Sequence, residues 1–238
     1  MKNSLWPEPA MRGSLIAIAA VAPTAFPAAQ AGYGTLHDLA FLAIIPAAAL
    51  MVFAWALLRS SRFSEIARSM RGGAAAGALA TIALETVRYS GFRLGFMPGN
   101  LPELMGVLML NRFALGPSLA STVAGFAYHF WNGACFGLIF AVGRGRLRAW
   151  WAIPYGIGIG VGFLLSPLVQ GLGVGLFGVN FGWHFSATVL LAHLAFGASI
   201  AWLLSITGPA RSACDRIIGV DRWRTKTSER QNAPQAGS

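Results

Sequence analysis

The stretch LHDLAFLAIIPAAALMVFAWALL, residues 36–58, contains an apolar run of the length that decides the fold class. A bilayer core is crossed by about 20 consecutive, mostly apolar residues in a helix. Further runs of this kind lie on either side, at Leu15–Ala31, Gly73–Leu94, Leu119–Val142, Trp151–Gln170 and Trp183–Ile206. The chain is 55% hydrophobic and 11% charged, whereas water-soluble domains carry about a quarter charged residues. The reading is an all-α polytopic transmembrane helical bundle of about six spans, or five if the first segment is removed.

That first segment, residues 1–31, has two readings. Met11-Arg12-Gly13-Ser14, the apolar Leu15–Val21 and the small residues of Ala29-Gln30-Ala31 have the layout of a secretory signal. The same residues would also serve as a first transmembrane segment, although Pro23 and Pro27 count against a regular helix. Residues 32–210 form the integral-membrane domain and residues 211–238 a basic tail.

Charge sets the expected orientation. Eighteen Lys and Arg residues face eight acids, giving a net charge of +10. Arg59, Arg62, Arg68 and Arg71 form one basic group, and Arg144, Arg146 and Arg148 a second. Arg211, Arg216, Arg222, Arg224, Lys226 and Arg230 form a third. Loops rich in Lys and Arg stay on the cytoplasmic side, which puts the C-terminus inside and the connections at 32–36, 95–117 and 171–182 outside. The expected partners are anionic lipid head groups at the basic loops, with a second copy or a membrane-complex partner also open; nucleic acid is not expected. In the tail, Ile217, Ile218, Val220 and Trp223 among the arginines suit a segment lying on the inner leaflet.

Within this apolar background one pattern occurs twice. Tyr128-His129-Phe130-Trp131-Asn132-Gly133-Ala134 and Ala192-His193-Leu194-Ala195-Phe196-Gly197-Ala198 both read His-x-x-x-Gly-Ala in mid-span. His129 precedes Arg144 by 15 residues and His193 precedes Arg211 by 18, so at about 1.5 Å per residue their depths agree within about one helical turn. Spans three and four, then five and six, thus read as two parallel helical-hairpin repeats. Glu85 lies 14 residues beyond Arg71, near the same depth, with Arg88 on its face at i+3. Ionisable groups inside a membrane mark functional sites. Glu85, Arg88, His129 and His193 are therefore the candidate ligand or proton site, against the plainer alternatives of interhelical hydrogen bonds and a structural ion pair. His37 and His184 fall near the outer boundary, where interfacial placement competes with a second ligand pair. Gly133 and Gly197 sit one turn from each His and leave room for a neighbouring backbone or a flat ligand.

Other features narrow the chemistry. Gly73-x-x-x-Gly77 and Gly133-x-x-x-Gly137 suit close helix crossing. Asn100-Leu101-Pro102-Glu103 suits the start of a helix, and the Leu104–Leu110 run that follows is too short to span, so a brief helix lying on, or dipping into, the outer face is expected. Gly171-Leu172-Gly173-Val174-Gly175 lacks the Lys-Ser/Thr of a phosphate loop. Cys135 and Cys214 have no metal-type spacing and do not suit an intrachain disulfide. There is no Gly-x-Ser-x-Gly nucleophile motif, so an autonomous enzyme is disfavoured.

Asn132-Gly133 through Phe140-Ala141-Val142-Gly143, Trp151 with the glycine-spaced span to Pro167, and the Ala192-His193 helix resemble the poorly characterised inner-membrane proteins of the YagU type. The resemblance covers the last three spans and, more loosely, the glycine-rich third. It implies a small bacterial inner-membrane protein and carries no activity over to individual residues. The signal-like segment and the very apolar outer loops depart from that pattern.

The function expected is movement of protons or a small solute through the polar midplane site. The alternative is a b-type haem-binding membrane subunit, or an anchor for an electron-transfer partner, in which His129 and His193 ligate haem b from both sides. A structural subunit of a membrane complex is the third reading. No other cofactor is implied.

Overall fold

The computed structural model describes residues 8–145 and 147–207. Arg146 and the basic tail at 211–238, including Cys214, lie outside the described residues, so the expectations placed on them are not addressed. The described residues up to Ser205 belong to one compact unit, and among the described residues all regular structure is helical. In order it runs α1 (Glu8–Gln30), α2 (Leu36–Leu39), a π-helical turn (Ala40–Ile44), α3 (Ile45–Leu58) and α4 (Ser64–Arg93). Then follow α5 (Leu101–Met109), α6 (Leu119–Gly143), α7 (Ala152–Leu164), α8 (Pro167–Gly171) and α9 (Trp183–Thr207).

Among the described residues, four helical stretches are long and apolar enough to cross a membrane: Glu8–Gln30, Leu36–Leu58, Ala149–Gly171 and Trp183–Ile206. Leu36–Leu58 leaves Leu42, Phe41 and Phe53 more than half exposed; an apolar face of this kind is compatible with contact to lipid. The other two long helices, α4 and α6, have 30 and 25 residues. They carry the internal polar groups, among them Thr81, Glu85 and Arg88 on α4 and His129 and Asn132 on α6. Those groups lower their hydropathy and turn inward, because polar atoms are satisfied against protein and not against acyl chains.

Helix α1 is continuous through both prolines and starts earlier than expected, at Glu8. Each proline removes one intrahelical bond, yet Leu15, Ala19, Ala22, Ala25 and Phe26 are buried along one face. Tyr128 of α6 donates its hydroxyl to the Ala22 carbonyl at 2.7 Å. At the other end of α1, Arg12 donates to the carbonyl of Val142 at 2.7 Å, satisfying one of the carbonyls left unpaired in the last turn of α6. The π turn before α3 is explained by Pro46: it has no N–H for the Leu42 carbonyl and its ring crowds that turn. The Ile45 N–H accordingly reaches back to Ala40.

The helices cross on glycine. In α4 and α6, a Cβ on Gly77 would stand 2.0 Å from the Gly133 carbonyl oxygen, and one on Gly137 would stand 2.3 Å from that of Gly73. In α7 and α9, Gly156 meets the His193 carbonyl and Gly197, while Gly197 meets the Ala152 carbonyl. In α5 and α6, Gly106 meets Ser121 and Gly125 meets Pro102. Without a hydrophobic force between helices in lipid, such backbone approach supplies the dispersion contact that holds them. The short helix expected after the third span begins at Leu101 and is not an exposed surface piece: Pro102, Met105, Gly106 and Val107 are buried.

Pro167 stops the fifth apolar stretch short. The residue before a proline is pushed to extended backbone, and Ser166 has φ −69° and ψ 155°. The stretch is therefore two helices, α7 and α8, with an unwound joint between them.

Candidate functional site

Glu85 and Arg88 lie on one face of α4 and form a two-pronged ion pair. Arg88 Nε donates to Glu85 Oε1 at 2.6 Å and Nη2 to Oε2 at 2.7 Å. The i+3 spacing brings the groups together, and both are largely buried, at 5% and 12% side-chain exposure. Arg88 Nη2 also donates to Asn100 Oδ1 at 2.9 Å. A guanidinium has five N–H groups. Three are used in these bonds, and Nη1 has no partner.

His129 of α6 approaches from the side. Its Nε2 is 2.9 Å from Glu85 Oε1, but the angle is not that of an aligned hydrogen bond, so the contact is electrostatic. His193 of α9 is held by its own helix through a 2.8 Å bond between Nδ1 and the Val189 carbonyl. A carbonyl only accepts, so Nδ1 carries the hydrogen and the neutral ring has a bare Nε2. Gly160 makes room for this ring: a Cβ there would be 2.9 Å from that of His193.

A cavity of about 320 Å³ joins these groups. Thr81, Arg88, His129, Asn132, Ser166 and His193 supply its polar wall, and residues such as Phe26, Met105 and Phe163 the apolar remainder. Its volume is at the lower end for small-molecule sites, which are mostly apolar with a few placed polar groups. Arg88, His129 and His193 thus share one interior space. Glu85 is set behind them, in contact with Arg88 and His129 but not on the cavity wall.

Three members of the site escape the sequence reading. Asn100 looked like a helix cap, yet its side chain makes no cap bond and serves Arg88. Asn132 lies inside the first His motif, one turn from Tyr128; its Oδ1 is buried without a partner. Ser166 precedes α8 but makes no side-chain cap bond either, and its buried Oγ is unpartnered. The space expected beside Gly133 and Gly197 is filled by neighbouring chain: Thr81 and Gly77 at the first, Ala152 and Ile153 at the second.

The outer histidines are elsewhere. His37 Nδ1 bonds the Met109 carbonyl at 2.8 Å, joining α2 to the end of α5. The His184 ring lies between Phe96 and Trp183, with centroids at 4.6 and 3.9 Å. Neither lines the central cavity. For the haem alternative, His193 presents a free Nε2 with Nδ1 anchored, the form that suits axial ligation. The Nε2 of His129 faces Glu85 instead and would have to leave it. No group of three or more potential metal-ligating side chains occurs among the described residues.

No family model, curated protein or solved structure matches this chain.

Proposed function

We propose that this chain is a six-span protein of a bacterial inner membrane that moves protons or a small solute through the central cavity. The observation that carries this reading is the sharing of one cavity by Arg88, His129 and His193, drawn from three helices. Buried ionisable groups that line an interior space are the usual equipment of a permeation path. The unwound joint at Ser166 supports it too, since irregular backbone at membrane depth is tolerated where it lines a cavity.

Two hairpin repeats are part of the proposal. Gly133, one turn after His129, meets Gly77 of α4; Gly197, one turn after His193, meets Ala152 of α7. The matching relation between His, following Gly and partner helix supports a common plan. The arginines at the α3–α4 and α6–α7 connections would mark the cytoplasmic side.

The test uses purified full-length protein in vesicles with a trapped pH-sensitive dye, under an imposed proton gradient. Traces are recorded alone and with a panel of short carboxylates, amines, amino acids and sugars. At least one condition is expected to give a protein-dependent signal that falls about tenfold in the variant carrying His129→Gln and His193→Gln, with helical circular dichroism retained. Signals at the protein-free level throughout, or unaltered by that variant, would overturn the proposal.

A further inference from the structure

We infer that the cavity takes a small monocarboxylate with an apolar body, together with one proton held at His193; this rests on the solute-moving reading above. Arg88 is the recognition point. It lines the cavity at 4% exposure, and its Nη1 carries two N–H groups that no protein atom accepts. A buried charged donor left unfilled is costly, and a carboxylate oxygen is the acceptor that guanidinium N–H groups bind most strongly. Ser166 Oγ, unpartnered on the same wall, offers a hydroxyl donor to the same carboxylate. Apart from the histidines, Asn132 and Thr81, whose hydroxyl is already bonded to the Gly77 carbonyl, the rest of the wall is apolar, as a hydrocarbon body requires.

Charge balance adds the proton. The titratable and charged groups at the cavity are Glu85 and Arg88 of α4, His129 of α6 and His193 of α9; α1, α5, α7 and α8 contribute none to its wall. With neutral imidazoles, Glu85 and Arg88 cancel. A carboxylate entering alone would leave an uncompensated charge in an apolar site, which is expensive. The bare Nε2 of His193 can accept a proton while Nδ1 keeps its bond to Val189, restoring neutrality. The carboxylate keeps both oxygens as acceptors, and the proton comes from bulk water. A dicarboxylate would carry a second charge with no partner, so one carboxyl group is the limit.

The experiment is calorimetry on the full-length protein in detergent, with cyclohexanecarboxylate, cyclohexylamine and succinate as probes, in buffers of different ionisation enthalpy. Saturable binding of cyclohexanecarboxylate with uptake of one proton is expected. Succinate and the amine should bind about tenfold more weakly or worse. Arg88→Lys keeps a positive charge beside Glu85 and should weaken the carboxylate by about tenfold. His193→Gln should remove the proton uptake. Gly162 lines the cavity, and a Cβ there would meet nothing within 4 Å. Gly162→Leu adds bulk at the cavity wall and should also lower affinity, which keeps the test open if Arg88→Lys fails to fold. Carboxylate binding without proton uptake, equal binding of the amine, or indifference to Gly162→Leu would overturn the inference. Flux in vesicles without carboxylate binding would reject this substrate and keep the transport reading; binding without flux would do the reverse.

Discussion

Arg88 Nη2 stands 2.9 Å from Asn100 Oδ1, and this bond explains why α5 starts without a side-chain cap. The amide oxygen that would have served the first turn of α5 instead ties the loop after α4 back to the buried guanidinium. Asn100→Ala should therefore destabilise the protein by about 2 kcal/mol, the scale of a hydrogen bond to a charged group. The loss should shrink markedly when Arg88 is already Lys. A double-mutant cycle from thermal unfolding in detergent measures the coupling; additive losses would show that the two side chains do not cooperate.

Removing one partner of the ion pair should cost more than removing both. Glu85→Ala leaves the Arg88 guanidinium buried with Asn100 as its remaining bonded partner, a loss of about 3–5 kcal/mol for a broken buried pair. The double variant Glu85→Ala with Arg88→Met should lie closer to wild type than Glu85→Ala does. Unfolding midpoints decide this, and equal losses would mean that the guanidinium finds water in the single variant.

Glycine positions with similar local sequence should respond in opposite directions. Gly77→Ala drives a Cβ to within 2.0 Å of the Gly133 carbonyl oxygen, so α4 and α6 must separate, at a cost of about 1–3 kcal/mol or more. Gly158→Ala on α7 meets nothing within 4 Å and should stabilise by about 0.5–1 kcal/mol through helix propensity. Paired melting curves of the two variants test the crossing directly.

Arg12 makes a local prediction. Its bond to the Val142 carbonyl closes the last turn of α6, so Arg12→Ala should fray that turn and cost about 1.5 kcal/mol. Hydrogen exchange should accelerate in the segment following Phe140 while the Gly133–Gly137 region stays protected. Uniform acceleration along α6 would point to global loosening instead.

Much of the helix layout was legible in the sequence. The helical stretch expected at Leu36–Leu58 is observed with the same bounds and is long and apolar enough to cross a membrane, because in a long apolar run only the backbone offers hydrogen-bond partners. Gly73-x-x-x-Gly77 and Gly133-x-x-x-Gly137 do pack on one another, since small residues at that spacing form a groove whatever the neighbour. The break at Ser166 and the early start of α4 at Ser64 were not foreseen. Pro167 was read as part of a span, and the arginines of the first turns of α4 were read as loop.

The candidate site was legible only by residue type. His129, His193, Glu85 and Arg88 stood out because ionisable groups are rare in apolar runs. Asn100 and Ser166 did not: Asn100 has an ordinary local role as a helix cap, and Ser166 lies inside what reads as one continuous apolar run.

By itself the sequence determined the helical class and the places where helices can touch, because solvation and backbone approach depend on local composition. Only the tertiary structure decided that Glu85 sits behind the cavity wall, that Arg88 keeps an N–H pair unfilled, and that Asn100 and Ser166 abandon their caps. Those outcomes depend on which acceptor from a distant segment arrives first at each buried donor, and hydrogen-bond distances of about 3 Å are set by helix packing, not by spacing along the chain.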